Sequence, residues 1–191
     1  TLNYDNRSGE GNPEERDYSP ITSTADPVDI DLAYGFTKDV IATSADHTGA
    51  GLGDPDLQDL VPGELVTFEL VATFGEGTTN NAVVTDVLPF TTSNGDANGV
   101  LEFVSSEVFS IGGGISSVEN SITAGTLSST APDTITFDFG DLVVAGNNVP
   151  GDNQIAMRVV ARVANVFPNQ EGDTLTNNAT MDVNDGDTVL N

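Results

Sequence analysis

The chain has no cysteine, no tryptophan, one histidine and one lysine among its 191 residues. Without cysteine neither a disulfide nor a thiolate metal site can form, so stability must come from a large core or from some other staple. The lone His47 sits between Asp46 and Thr48-Gly49, a polar loop setting, which leaves a serine nucleophile without a partnered base. No apolar run approaches the roughly 20 residues of a membrane-spanning helix, and no signal-peptide pattern is present. The opening at Thr1 and the polar finish read as a mature product or an excised piece. Basic residues number 5 against 30 acidic ones, for a net charge of -25. That balance repels nucleic acid and anionic membranes and excludes both as partners. With 3 tyrosines and no tryptophan, a sugar-stacking platform is also poorly supplied, which counts against a carbohydrate-binding module and against a glycosidase.

What remains plentiful is Gly, Thr, Asn, Ser and Asp, the profile of turn-rich all-β surface proteins. Period-two alternation recurs where helical periodicity does not. Val66, Phe68, Leu70 and Ala72 form one stripe, Ile135, Phe137 and Phe139 a second, Ile155, Met157, Val159, Ala161 and Val163 a third. Leu175, Asn177, Ala179, Met181 and Val183 make the last. Further strands are expected over 36–43, 82–88, 100–104 and 107–111. Breaks fall at Pro62-Gly63, Gly75-Glu76-Gly77, Ser93 to Asp96, Gly112 to Gly114 (expected as a hairpin turn) and 149–153. Many short strands at this spacing predict an all-β fold, a two-sheet antiparallel sandwich with long acidic loops.

Three polar residues interrupt apolar stripes. Lys38 lies between Phe36 and Val40, Asp86 between Val84 and Leu88, and Asn177 between Leu175 and Ala179. In a strand, residues i and i±2 share a face, so all three are expected to point inward. An amine, a carboxyl and a carboxamide inside one β-core need each other. Taken alone, the residues leave Lys38 to pair with Asp86 or to snorkel to an edge, and Asn177 could equally bond backbone at a sheet edge.

The two ends also resemble each other. Thr1-Leu2-Asn3-Tyr4-Asp5 reads like Thr180-Met181-Asp182-Val183-Asn184, as if one strand occurred in successive repeats. Residues 1–33 are accordingly expected to be the terminal hairpin or linker of a preceding unit, and 34–191 the sandwich. On this register the final strand after Asn184 is expected to be missing, with a neighbouring chain or the extended stretch Thr24 to Leu32 as its source.

An ordered set of motifs runs over about residues 34–183: F-T-K-D-V at Phe36 to Val40, V-P-G-E-L-V-T-F-E-L-V-A-T at Val61 to Thr73, N-A-V-V-T-D-V-L-P-F at Asn81 to Phe90, D-F-G-D-L at Asp138 to Leu142, and G-D-T-L-T-N-N-A-T at Gly172 to Thr180. The set resembles the bacterial and archaeal surface repeat known as domain of unknown function eleven, and the related fimbrial isopeptide domains. The resemblance implies an Ig-like sandwich from a stalk or adhesin at the cell surface or outside the cell, non-catalytic, with neighbouring repeats or identical subunits as partners. It also implies that Lys38 attacks Asn177 with Asp86 as proton shuttle, forming an isopeptide bond. The acidic insertion from Ala45 to Leu60 departs from the shorter members of that group.

Calcium is the expected cofactor, since clustered carboxylates and carbonyls are what it needs. The densest clusters are Asp54, Asp56 and Asp59, and Asp182, Asn184, Asp185 and Asp187, with Asp26, Asp29 and Asp31 able to join a site at a repeat junction. Neither main cluster has EF-hand spacing. Asn6-Arg7-Ser8 and Asn178-Ala179-Thr180 are glycosylation sequons. The alternative to a stalk repeat is a self-assembling filament subunit joined by strand donation.

Overall fold

Among the described residues twelve strands form two antiparallel sheets packed face to face, with one small hairpin apart. The structure, a computed structural model, describes residues 33–45, 59–93, 96–116, 121–124, 132–167, 169, 172–184, 186 and 188–191. All of these fall in the unit Leu32–Asn191; the expected preceding hairpin lies outside the described residues. The first sheet has the order β1 (Gly35–Thr43), β2 (Leu65–Thr73), β10 (Gln154–Val163), β6 (Leu101–Ile111). The second runs β12 (Thr188–Leu190), β11 (Asn178–Val183), β3 (Gly77–Val87), β9 (Thr134–Val144), with β7 (Ile115–Ser116) and β8 (Ser121–Ala124) sharing the far edge of β9. β4 (Phe90–Ser93) and β5 (Asp96–Gly99) form the separate hairpin. The fold is a two-sheet antiparallel β-sandwich, as the alternation predicts, and of the immunoglobulin-like kind that the resemblance implies.

Strand formation follows the period-two stripes. In β2 the residues Val66, Phe68, Leu70 and Ala72 are buried while their neighbours are only half-buried, and β10 repeats the pattern with Ile155, Met157, Val159, Ala161 and Val163. β9 brings Ile135, Phe137, Phe139, Leu142 and Val144 from the opposite sheet to meet them. Arg158 and Arg162 point outward, where Arg158 lies 3.9 Å from the centroid of the Phe109 ring and within 3.5 Å of Glu69.

Four expectations need correction. The segments 100–104 and 107–111 form one strand, β6, because its partner β10 runs alongside without a break; register shifts at Ala156/Met157 and Val160/Ala161 absorb the change of phase. Gly112 to Gly114 is not a hairpin turn but a crossover from the first sheet to the second. A Cβ at Gly112 would stand 2.3 Å from the carbonyl oxygen of Asp152, so the 3-10 turn Pro150–Asn153 packs directly on bare backbone. The last strand begins at Asn178 rather than Leu175. Finally, the strand after Asn184 is present as β12, pairing Thr188, Val189 and Leu190 with Val183, Asp182 and Met181. The turn between them is set by left-handed Asn184 (φ 56) and Gly186 (φ 90).

One carboxylate pins the acidic insertion. Glu64, 4% exposed, accepts the Ala45 N–H at Oε1 and the Val61 N–H at Oε2, both at 3.1 Å, so it holds the two ends of the loop together. Removing it strands two backbone donors. Glu64→Ala is expected to cost about 2 kcal/mol, read as a lower urea midpoint at unchanged slope; an unaltered midpoint would show that the loop closes by other means.

Candidate functional site: a buried amine, carboxyl and carboxamide

Asp86 sits on β3 in the middle of the second sheet, opposite Ile135 on β9 and Ala179 on β11. These neighbours and the flanking Val84 and Leu88 leave it 0% exposed. Lys38 reaches it from across the sandwich. Its strand β1 is the edge of the first sheet, and the alternation of that strand turns Phe36, Lys38 and Val40 toward the core. The Lys38 Nζ lies 2.5 Å from Asp86 Oδ1, with the lysine side chain 11% exposed. Nζ also stands 4.9 Å from the centroid of the Phe68 ring, a face that attracts a cation and shields it from water.

Asn177 immediately precedes β11 and is half-buried. It stands near enough to Asp86 to act on its pKa, but neither its carboxamide nitrogen nor its oxygen completes a hydrogen bond, and Asp86 Oδ2 is equally unsatisfied. Asn177 and Lys38 share a cleft of about 530 Å³ lined by Phe36, Lys38, Asn177, Asn178, Ala179, Thr180 and Asn191. The structure thus brings all three residues of the interrupted stripes to one place, at the open side between β1 and β11.

Burial dominates the electrostatics. Desolvation pushes the Lys38 amine below its ordinary 10.5, opposed by the charge of Asp86 and its hydrogen bond. Desolvation pushes the Asp86 carboxyl above its ordinary 3.8, opposed by Lys38 and then by Asn177. Both shifts favour the uncharged forms, a free amine beside a protonated acid. A free amine can act as a nucleophile, a protonated acid can donate to an amide oxygen, and a carboxamide can serve as an electrophile.

Of the expected calcium ligands only Asp59, Asp182 and Asn184 fall among the described residues. Asp54, Asp56, Asp185 and Asp187 lie outside the described residues. Asn184 is engaged in closing the fold: its Oδ1 accepts the Asn80 N–H at 3.2 Å and its Nδ2 donates to the Tyr34 hydroxyl at 3.1 Å. Asp182 keeps one buried oxygen without a hydrogen bond. Among the described residues no group of three or more His, Asp or Glu side chains is placed to hold an ion. Asn178 of the second sequon is exposed.

Phe68 was not singled out by the sequence pattern as more than core. Its role beneath Lys38 depends on the register of β1 against β2, in which Val40 lies opposite Phe68 and Lys38 opposite Leu70. The chain matches no protein-family model and no curated protein.

The pKa directions fix a pH signature for the unlinked pair, accessible in an Asn177→Ala chain. Just above pH 3.8 folded Asp86 keeps a proton that the unfolded chain releases, so stability falls as pH rises there. On the alkaline side folded Lys38 has given up a proton that the unfolded chain holds up to 10.5, so stability rises with pH toward that value. Urea midpoints across pH should show both slopes; a flat profile would mean that neither group is perturbed.

Proposed function

We propose that this chain is a non-catalytic structural module of an extracellular or cell-surface stalk, stapled internally by an isopeptide bond between Lys38 and Asn177. The observation that carries the reading is the buried Lys38–Asp86 contact with the unsatisfied carboxamide of Asn177 alongside. The reaction balances within the chain. The uncharged Lys38 Nζ attacks Asn177 Cγ while Asp86 donates a proton to the amide oxygen. The tetrahedral centre passes an amine proton through Asp86 to the departing nitrogen, and on its collapse ammonia leaves while the hydroxyl proton returns to Asp86. The new Nζ–Cγ amide replaces the old Cγ–Nδ2 bond, and Asp86 ends protonated as it began. Burial supplies the effective concentration that such a sluggish amide exchange needs.

Several features support a load-bearing role. The bond would join the edge strand of one sheet to the start of β11 in the other, closing a loop that contains most of the sandwich. By analogy with disulfides that close loops of this size, the constraint on the unfolded chain is worth about 5 kcal/mol, in a chain with no cysteine to provide it otherwise. The charge of -25 keeps such a module hydrated and apart from anionic surfaces.

Pulling single molecules from their ends tests the mechanical claim. Wild type should release no length from the stretch between Lys38 and Asn177. Asp86→Ala, which cannot move the proton, should add an unfolding step releasing roughly 3.3–3.6 Å per residue of that stretch. The same step in wild type would contradict the staple.

A further inference from the structure

Two successive asparagines stand at the start of β11 and face opposite ways. Asn177 is half-buried, and its carboxamide lies out of water in the cleft it shares with Lys38. Asn178, the first residue of β11, is exposed. Asn178-Ala179-Thr180 is also an acceptor sequence for N-linked sugar, and neither the staple nor the core makes use of it.

The alternation of the strand suits that sequence. Residues i and i+2 of a strand share a face, about 7 Å apart. The side chains of Asn178 and Thr180 therefore project together on the outer face, while Ala179 between them turns inward and is 7% exposed. A sugar transferase reads the first and third side chains and accepts any middle residue except proline. The tripeptide that starts one residue earlier ends in Ala179, so Asn177, the proposed partner of Lys38, is no acceptor.

We infer that Asn178 is an attachment site for an N-linked glycan. The inference rests on the extracellular half of the proposed function and does not need the isopeptide bond. In the transfer the Asn178 Nδ2 attacks the anomeric carbon of a sugar carried on a lipid pyrophosphate. The carbon–oxygen bond to the pyrophosphate breaks as the carbon–nitrogen bond forms. The lipid pyrophosphate leaves, and one Nδ2 proton passes to a base of the transferase. Transfer onto the unfolded chain is compatible with the fold, because Asn178 stays exposed in it. A sugar on an inward position would have to be buried with its hydroxyls unpaired. Across the ladder Asn178 lies opposite Val87, which is 38% exposed, and it borders the cleft that Lys38 and Asn177 line. The glycan thus stands at the mouth of the buried site and beside an apolar side chain of the outer face.

The full-length chain, exported from a eukaryotic host together with a reference glycoprotein that reports an active transferase, tests this. The expected result is a sugar mass on the peptide that holds Asn178, removed by an amidase that leaves aspartate at the attachment position. That mark separates Asn178 from the other acceptor sequence, Asn6-Arg7-Ser8. Occupancy should fall to background in Thr180→Val and persist in Thr180→Ser, which keeps the hydroxyl. A sugar-free Asn178 beside a glycosylated reference would overturn the inference, as would equal occupancy in Thr180→Val. Export is imposed by the host, so either result bears on the site and not on the location proposed above. The mass lost as ammonia is read on the same chains, so a missing sugar and a missing cross-link are separate outcomes.

Discussion

An amine and a carboxyl removed from water within one β-core have two outcomes, to remain paired or to react. Lys38 and Asp86 meet at 2.5 Å with the carboxyl fully buried, and the sandwich is arranged around that contact. Breaking a buried pair by deleting one partner generally costs about 3–5 kcal/mol, because the other charge is left uncompensated. Replacing such a pair with apolar residues is often harmless or stabilising. Packing alone therefore gives no reason to keep an amine, a carboxyl and an unsatisfied carboxamide here. The proposed amide exchange would supply one, since desolvation moves Lys38 and Asp86 toward the forms that it uses.

The position of the site in the topology matters as much as its chemistry. Among the described residues β1 is an edge strand paired with β2, and β11 is paired on its outer side with the three-residue β12. These are the strands a load would peel first. A covalent link between Lys38 and Asn177 would tie those two places together. Glu64 and Gly112 do comparable work elsewhere, closing the acidic insertion and seating the Pro150–Asn153 turn by noncovalent means.

Much of this was legible in the amino-acid order because β-structure is written at period two. Phe36-Thr-Lys-Asp-Val40 and Val84-Thr-Asp-Val-Leu88 place Lys38 and Asp86 inward with no knowledge of the partner strand. Asn177 is reached by the same rule although it lies one residue ahead of β11, since the alternation of half-buried and exposed residues continues back through 175–178. The rule fails where phase changes or long-range register decides. β6 reads as two strands because its bulges shift the stripe midway. Gly112 to Gly114 reads as a hairpin because local composition does not say that the next strand joins the other sheet. β12 is too short to show any period, and Phe68 acquires its place under Lys38 only through pairing with β1.

The central claim is that the three buried groups react with one another, and the intact mass of the denatured wild-type chain measures this directly. The account predicts a deficit of one ammonia relative to the sequence, confined to a peptide that joins Lys38 to Asn177 and absent from the Asp86→Ala chain. Full mass in both chains would contradict it, leaving Lys38 as the ion-pair partner of Asp86.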